Sequence, residues 1–155
     1  MPRGIFRLKQ VYEEQLSGNW STKGDVWNTP SPFTKALPFG YFGGGTTNGS
    51  TVDRIDYSSD TGTASVKGPL SSARQSLAAT GNASFGYFGG GLPVPDGLAT
   101  VDRIDYSNDT ATAAVKGPLS LARKHLAATG NASFGYFGGG GPAPSPLSTV
   151  DRIDY

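Results

Sequence analysis

Phe85-Gly86-Tyr87-Phe88-Gly89-Gly90-Gly91, then eight residues, then Thr100-Val101-Asp102-Arg103-Ile104-Asp105-Tyr106: this pair of heptads recurs and decides the fold. The first heptad begins at Phe39, Phe85 and Phe134, and the second at Thr51, Thr100 and Thr149. The second series advances by 49 residues at each step, the first by 46 and then 49. The difference lies in the joining loop, five residues at 46–50 and eight at both 92–99 and 141–148. Fixed elements around one variable loop are the mark of a repeat scaffold that carries a surface.

Outward from the heptads, residues 58–84 and 107–133 are nearly identical 27-residue stretches. Each unit offers four short β-favouring segments. In the best copies these are 126–129, bounded by the turn pair Gly130-Asn131; 134–137, ending in glycines; 100–106 and 149–155, which alternate; and 110–115, stopped by Lys116-Gly117-Pro118. On the alternating strand Thr100, Asp102, Ile104 and Tyr106 share one face, and Val101, Arg103 and Asp105 the other. Four strands of about 5–6 residues with their turns fill such a unit. Gly and Pro punctuate every segment, which disfavours helix. The expected fold class is all-β, with residues 39–155 forming two full units and the start of a third.

A four-stranded repeat of this length points to a propeller blade. The order resembles the kelch repeat: an aromatic strand ending in a glycine pair, a variable loop, a strand ending in Tyr-Asp, then a turn, a Trp, a Pro-containing loop and an Arg. Tyr136-Phe137-Gly138-Gly139, 101–106, Gly117-Pro118-Leu119 and Arg123 follow that order. The departure is at the kelch tryptophan, where small residues near Ser65 and Ala114 stand. The resemblance implies β-propeller blades that stack face to face. Gly43, Gly44, Gly89, Gly90, Gly138 and Gly139 are then expected on crowded inner strands, giving close backbone approach and positive φ. The aromatics before them supply the area sandwiched between blades.

Asp53-Arg54 and Asp102-Arg103 head carboxylate pairs three residues apart, a spacing that suits Ca²⁺ or acid–base work. The set recurs in every unit, whereas catalysis needs one site. A structural ion pair, with a turn or with Arg74 or Arg123 of a neighbouring blade, is the preferred reading. The glycine-rich heptad lacks the Lys and the helix of a phosphate loop. His125 replaces Ser76 of the preceding copy and is read as a surface or interblade residue outside the frame. Asn48, Asn82 and Asn131 head glycosylation sequons that turn geometry also explains.

The 155 residues carry net charge +1, with 16% charged, 36% apolar, 23 Gly, one His and no Cys. Clustered basic residues for nucleic acid are missing, and disulfide and thiolate chemistry are excluded. One histidine leaves little for an imidazole metal site, and no stretch approaches the ~18 apolar residues of a membrane helix. No enzyme activity, cofactor, metal, nucleic acid or membrane partner is expected.

Residues 1–38 stand outside the repeat. Ile5, Leu8, Val11, Tyr12 and Leu16 fall near helical spacing, with a strand as the alternative. Trp20 and Trp27 follow, then a proline-containing linker. Ile5, Leu8, Val11, Tyr12, Trp20 and Trp27 are the expected anchor to another protein, with a cap on the first blade as the alternative. The leader Met-Pro-Arg-Gly-Ile-Phe-Arg-Leu-Lys-Gln-Val-Tyr followed by Gly-Tyr-Phe-Gly-Gly-Gly repeats resembles kelch-like virion structural proteins of tailed phages of marine bacteria, cyanobacteria especially. The resemblance implies a homo-oligomeric fibre, spike or surface decoration. Residues 1–38 would attach it to tail or capsid proteins, and the repeat loops would face host glycans or proteins. The alternative is a cellular kelch adaptor.

Overall fold

A computed structural model describes residues 38–45, 49–59, 61–92, 97–141 and 146–155. The six expected anchor residues lie outside these. Among the described residues, ten strands form three antiparallel sheets. The first sheet holds β1 (Phe39–Gly43), β2 (Val52–Asp56) and β3 (Ser65–Lys67). The middle sheet holds β4 (Ala78–Gly81), β5 (Phe85–Gly89), β6 (Val101–Asp105) and β7 (Ala114–Lys116). The third holds β8 (Ala127–Gly130), β9 (Phe134–Gly138) and β10 (Val150–Asp154). Strands are adjacent in chain order within each sheet, so every connection is a hairpin or a step to the next sheet.

Register is the same in all three sheets. Gly43 opposes Val52, Gly89 opposes Val101 and Gly138 opposes Val150. The turns that join β4 to β5 and β8 to β9 are local. The Asn82 side chain accepts hydrogen bonds from the Ser84 and Phe85 amides at 2.8 and 2.9 Å, and Asn131 repeats this with Ser133 and Phe134. After β6 a 3-10 turn at Tyr106–Asn108 is capped by Asp105, which accepts from the Ser107 amide. The chain keeps turning through 109–111, where the Ala111 amide donates to the Asn108 carbonyl at 3.2 Å, so the segment 110–115, expected to be extended, yields strand only from Ala114. The strand expected at 126–129 begins one residue later, because Leu126 is buried in the step between sheets.

The middle sheet buries both faces. Towards the first sheet, Phe88 and Ile104 pack with Val52, Leu70 and Ala113, joined by Tyr41, Leu77 and Tyr106. Towards the third, Tyr87 and Val101 pack with Leu119, Leu126 and Phe137, joined by Ile153 and Tyr155. The alternation of β6 divides Val101 from Ile104 between these two cores. Each fully buried side chain of this size contributes roughly 1.5–3 kcal/mol. Leu37–Tyr155 form one compact unit.

The two seams between sheets are copies of each other. A Cβ added at Gly43 would sit 2.8 Å from Phe88 Cε1, and one at Gly89 would sit 2.7 Å from Phe137 Cε1. Each glycine is a notch that receives a phenylalanine of the next sheet. The crowding at these two positions therefore comes from a neighbouring aromatic ring rather than from convergence on an inner strand. Tyr41 stacks on Tyr106 at 4.6 Å and Tyr87 on Tyr155 at 5.0 Å; such pairs add about 0.5–1.5 kcal/mol beyond their area. Among strands of different sheets, β4 and β8 lie alongside each other, and the His125 amide donates to the Ser76 carbonyl at 2.9 Å. Ser76 and His125 both adopt a left-handed conformation, φ 56° and 55°. The position is thus part of the frame in its backbone, and only its side chain is free to change.

Candidate functional site: the arginine-tied loops

Each sheet steps to the next through a connector that carries one buried arginine, Arg74 or Arg123, both with no exposed side-chain surface. Arg74 Nη2 donates to Asp102 Oδ2 at 2.6 Å and to the Phe88 carbonyl at 3.3 Å. Nη1 donates to the Thr100 carbonyl at 3.0 Å and approaches the Gly90 carbonyl at 3.4 Å. Ser71 completes the carboxylate: its amide reaches Asp102 Oδ2 at 2.9 Å and its hydroxyl Oδ1 at 2.7 Å. Burial pulls the Arg74 guanidinium below its ordinary pKa, and the charge of Asp102 opposes this. Arg123 repeats the pattern with Asp151 and with the carbonyls of Phe137, Gly139 and Thr149.

Gly90 and Thr100 stand at the two feet of the loop 92–99, and Gly139 and Thr149 at those of 141–148. One guanidinium therefore holds both ends of a variable loop. The same arginine holds the preceding loop through its backbone. The Arg74 amide donates to Gly49 O at 3.1 Å and its carbonyl accepts from Gly45 at 3.2 Å; Arg123 does the same with Leu98 and Gly91, at 3.1 and 2.9 Å. Backbone binds the loop behind and side chain binds the loop ahead, so the three loops are tied into one row. Gly44, Gly90 and Gly139 turn the chain into these loops at φ 77°, 71° and 67°, a region that favours glycine.

A second polar cluster sits elsewhere in the first seam. Asp109 accepts from Arg54 Nη1 at 2.7 Å and Tyr41 Oη at 3.0 Å, with Lys67 Nζ at 3.5 Å. Burial, then the Asp109 hydrogen bond, raises the Tyr41 pKa. The corresponding Tyr87, Arg103 and Lys116 of the second seam line an open cleft of about 420 Å³ with Arg152 and Asp154. Arg54, Arg103 and Arg152 each lie over a phenylalanine of the same sheet, at 4.1 Å from Phe39, 4.3 Å from Phe85 and 4.8 Å from Phe134. Asp56 and Asp105 are held below the usual carboxylate range by hydrogen bonds from Ser58 and Ser107.

The structure thus unites Asp102 with Arg74, and places Arg54 and Arg103 apart from them on the opposite strand face. Asp53, at the register position of Asp102, has no arginine partner among the described residues. Sequence reasoning passed over Asp109 and Ser71. Their signal was present: Asp60 and Asp109, like Ser71 and Ser120, occupy equal repeat positions. A comparison with known protein families finds no match for the chain, and none of the curated proteins is similar to it.

Proposed function

We propose that the chain is a non-enzymatic virion structural protein, a fibre, spike or surface decoration. In this reading residues 1–38 attach to tail or capsid proteins, and a kelch-like propeller array displays its loops to host glycans or proteins. The observation that carries the display reading is the arginine tie. It holds both feet of each eight-residue loop by backbone carbonyls, which every sequence possesses, so loop content can change while the frame stays fixed. The face-to-face packing of a four-stranded sheet between two three-stranded ones supports the kelch-like reading of the frame. The repeated Asp102 and Arg74 are committed to holding sheets together, which favours scaffold over catalysis. The assignment to a particle rests on the resemblance of the leader and repeats together.

Mass spectrometry of purified particles of the virus encoding this chain tests the proposal. The expected result is the chain at a stoichiometric level. Absence from particles, with the chain recovered from host cytosol on a protein partner, would sink it in favour of a cellular adaptor.

A further inference from the structure

Among the described residues, the outer faces of the first and third sheets are the two unmatched halves of the seam that forms twice internally. Phe88 and Phe137 are 2% and 0% exposed in their notches, while the equivalent Phe42 of the first sheet is 63% exposed. Tyr57, the counterpart of the stacked Tyr106 and Tyr155, is 62% exposed. The third sheet shows the complementary half. Val150 is 62% exposed, where Val52 and Val101 are fully buried. A Cβ at Gly138 would meet only Val150 Cγ2, at 3.5 Å, in contrast to the phenylalanine-filled notches at Gly43 and Gly89. Ala127, Ala128, Thr129, Tyr136, Gly138, Gly139 and Val150 line an apolar hollow of about 330 Å³ there.

We propose that a second copy of this chain docks head to tail, its Phe42 entering the Gly138 notch and its Tyr57 stacking on Tyr136. The occupant is chosen by the molecule's own pattern. The knob, the notch and the stacking tyrosines are the same residue types, in the same register, that meet in both internal seams. The contact joins unlike faces, so each added copy leaves a free knob and a free notch, and association continues until a ring closes or a stack grows. The inference rests on the seam geometry and is independent of the virion reading.

The chain lacks cysteine, so single-cysteine variants report the contact directly. Phe42→Cys and Gly138→Cys chains, mixed and mildly oxidised, are expected to give the mixed disulfide dimer in preference to either self-dimer. Val66→Cys, on an exposed edge strand, is expected to give little with Gly138→Cys. Sedimentation of the full chain should show concentration-dependent association. Phe42→Asp and Gly138→Leu should each weaken it on the order of 30-fold or more, as for a central aromatic anchor and its pocket. Phe42 is exposed and the Gly138 notch is open, so both variants should keep the wild-type circular dichroism. A chain that stays monomeric up to millimolar concentration overturns the proposal. So does association that ignores both substitutions, or cross-linking in which Phe42→Cys pairs best with itself.

Discussion

Val101 and Val150 stand in identical heptads, in identical register, opposite identical glycines. One is fully buried and the other is 62% exposed. Among the described residues, the middle sheet has a neighbour on each face and the third has one. The difference teaches that burial here is a property of the stack and not of the repeat unit. A single sheet has two apolar faces and covers neither, so stability follows nearest-neighbour seams, as in other repeat proteins. The same heptad thereby yields a core position, a notch wall or an open surface, according to what lies across from it.

The comparison breaks most visibly at the buried charge. Arg74→Met is expected to cost about 3–5 kcal/mol in urea unfolding, because Asp102 is left buried without its counter-charge. Arg123→Met should cost less, since the Asp151 side chain retains 15% exposure and water can reach it. Equal losses would mean that the two seams are energetically the same despite their different cover.

Next come the knobs. Phe88→Ala should lose about 3–5 kcal/mol, and Phe42→Ala should stay within about 0.5 kcal/mol, measured by denaturation at a concentration low enough to keep chains apart. The notches follow. Gly89→Ala forces the Phe137 ring to move and should cost about 1–3 kcal/mol, whereas Gly138→Ala should change unfolding by less than about 0.5 kcal/mol. A large penalty at Gly138 would show that its notch is already filled.

The smallest effect is one of pH. Burial, with the neighbouring Tyr41, Tyr155 and Tyr57, pushes the Tyr106 phenol up to about 12. The neutral phenol is the form that the first seam accommodates. Its contribution is therefore whole below the ordinary value of 10.0 and is lost as pH rises towards about 12. Ultraviolet titration of tyrosinate should show this late step, and Tyr106→Phe should remove it. A tyrosine count that titrates wholly near pH 10 would contradict the seam.

Much of this was legible in the chain itself. Recurrence of two heptads announced the repeat, strict alternation along 101–106 divided its faces correctly, and the recurrence of Asp102 and Arg74 marked them as frame. What escaped was whatever one sheet does to another. Alternation reports on which face of its own sheet a residue lies, and says nothing of the ring that will arrive from the next sheet to fill Gly89. The segment 110–115 was read as extended from its small β-compatible residues, yet the hydrogen bond from the Ala111 amide to the Asn108 carbonyl draws its start into a turn. His125 was set outside the frame because its identity differs from Ser76. A shared φ near 55° is invisible to a comparison of side chains.

The guanidinium that grips Gly90 and Thr100 has a consequence for chain entropy. Closing a flexible loop loses conformational freedom, and the loss grows only with the logarithm of length. Going from the five residues of 46–50 to the eight of 92–99 adds roughly 0.4 kcal/mol on that scale. The loop's ends are already brought together by a charged group that belongs to the preceding connector. An insertion there lengthens a tether between two fixed posts and leaves the posts where they are.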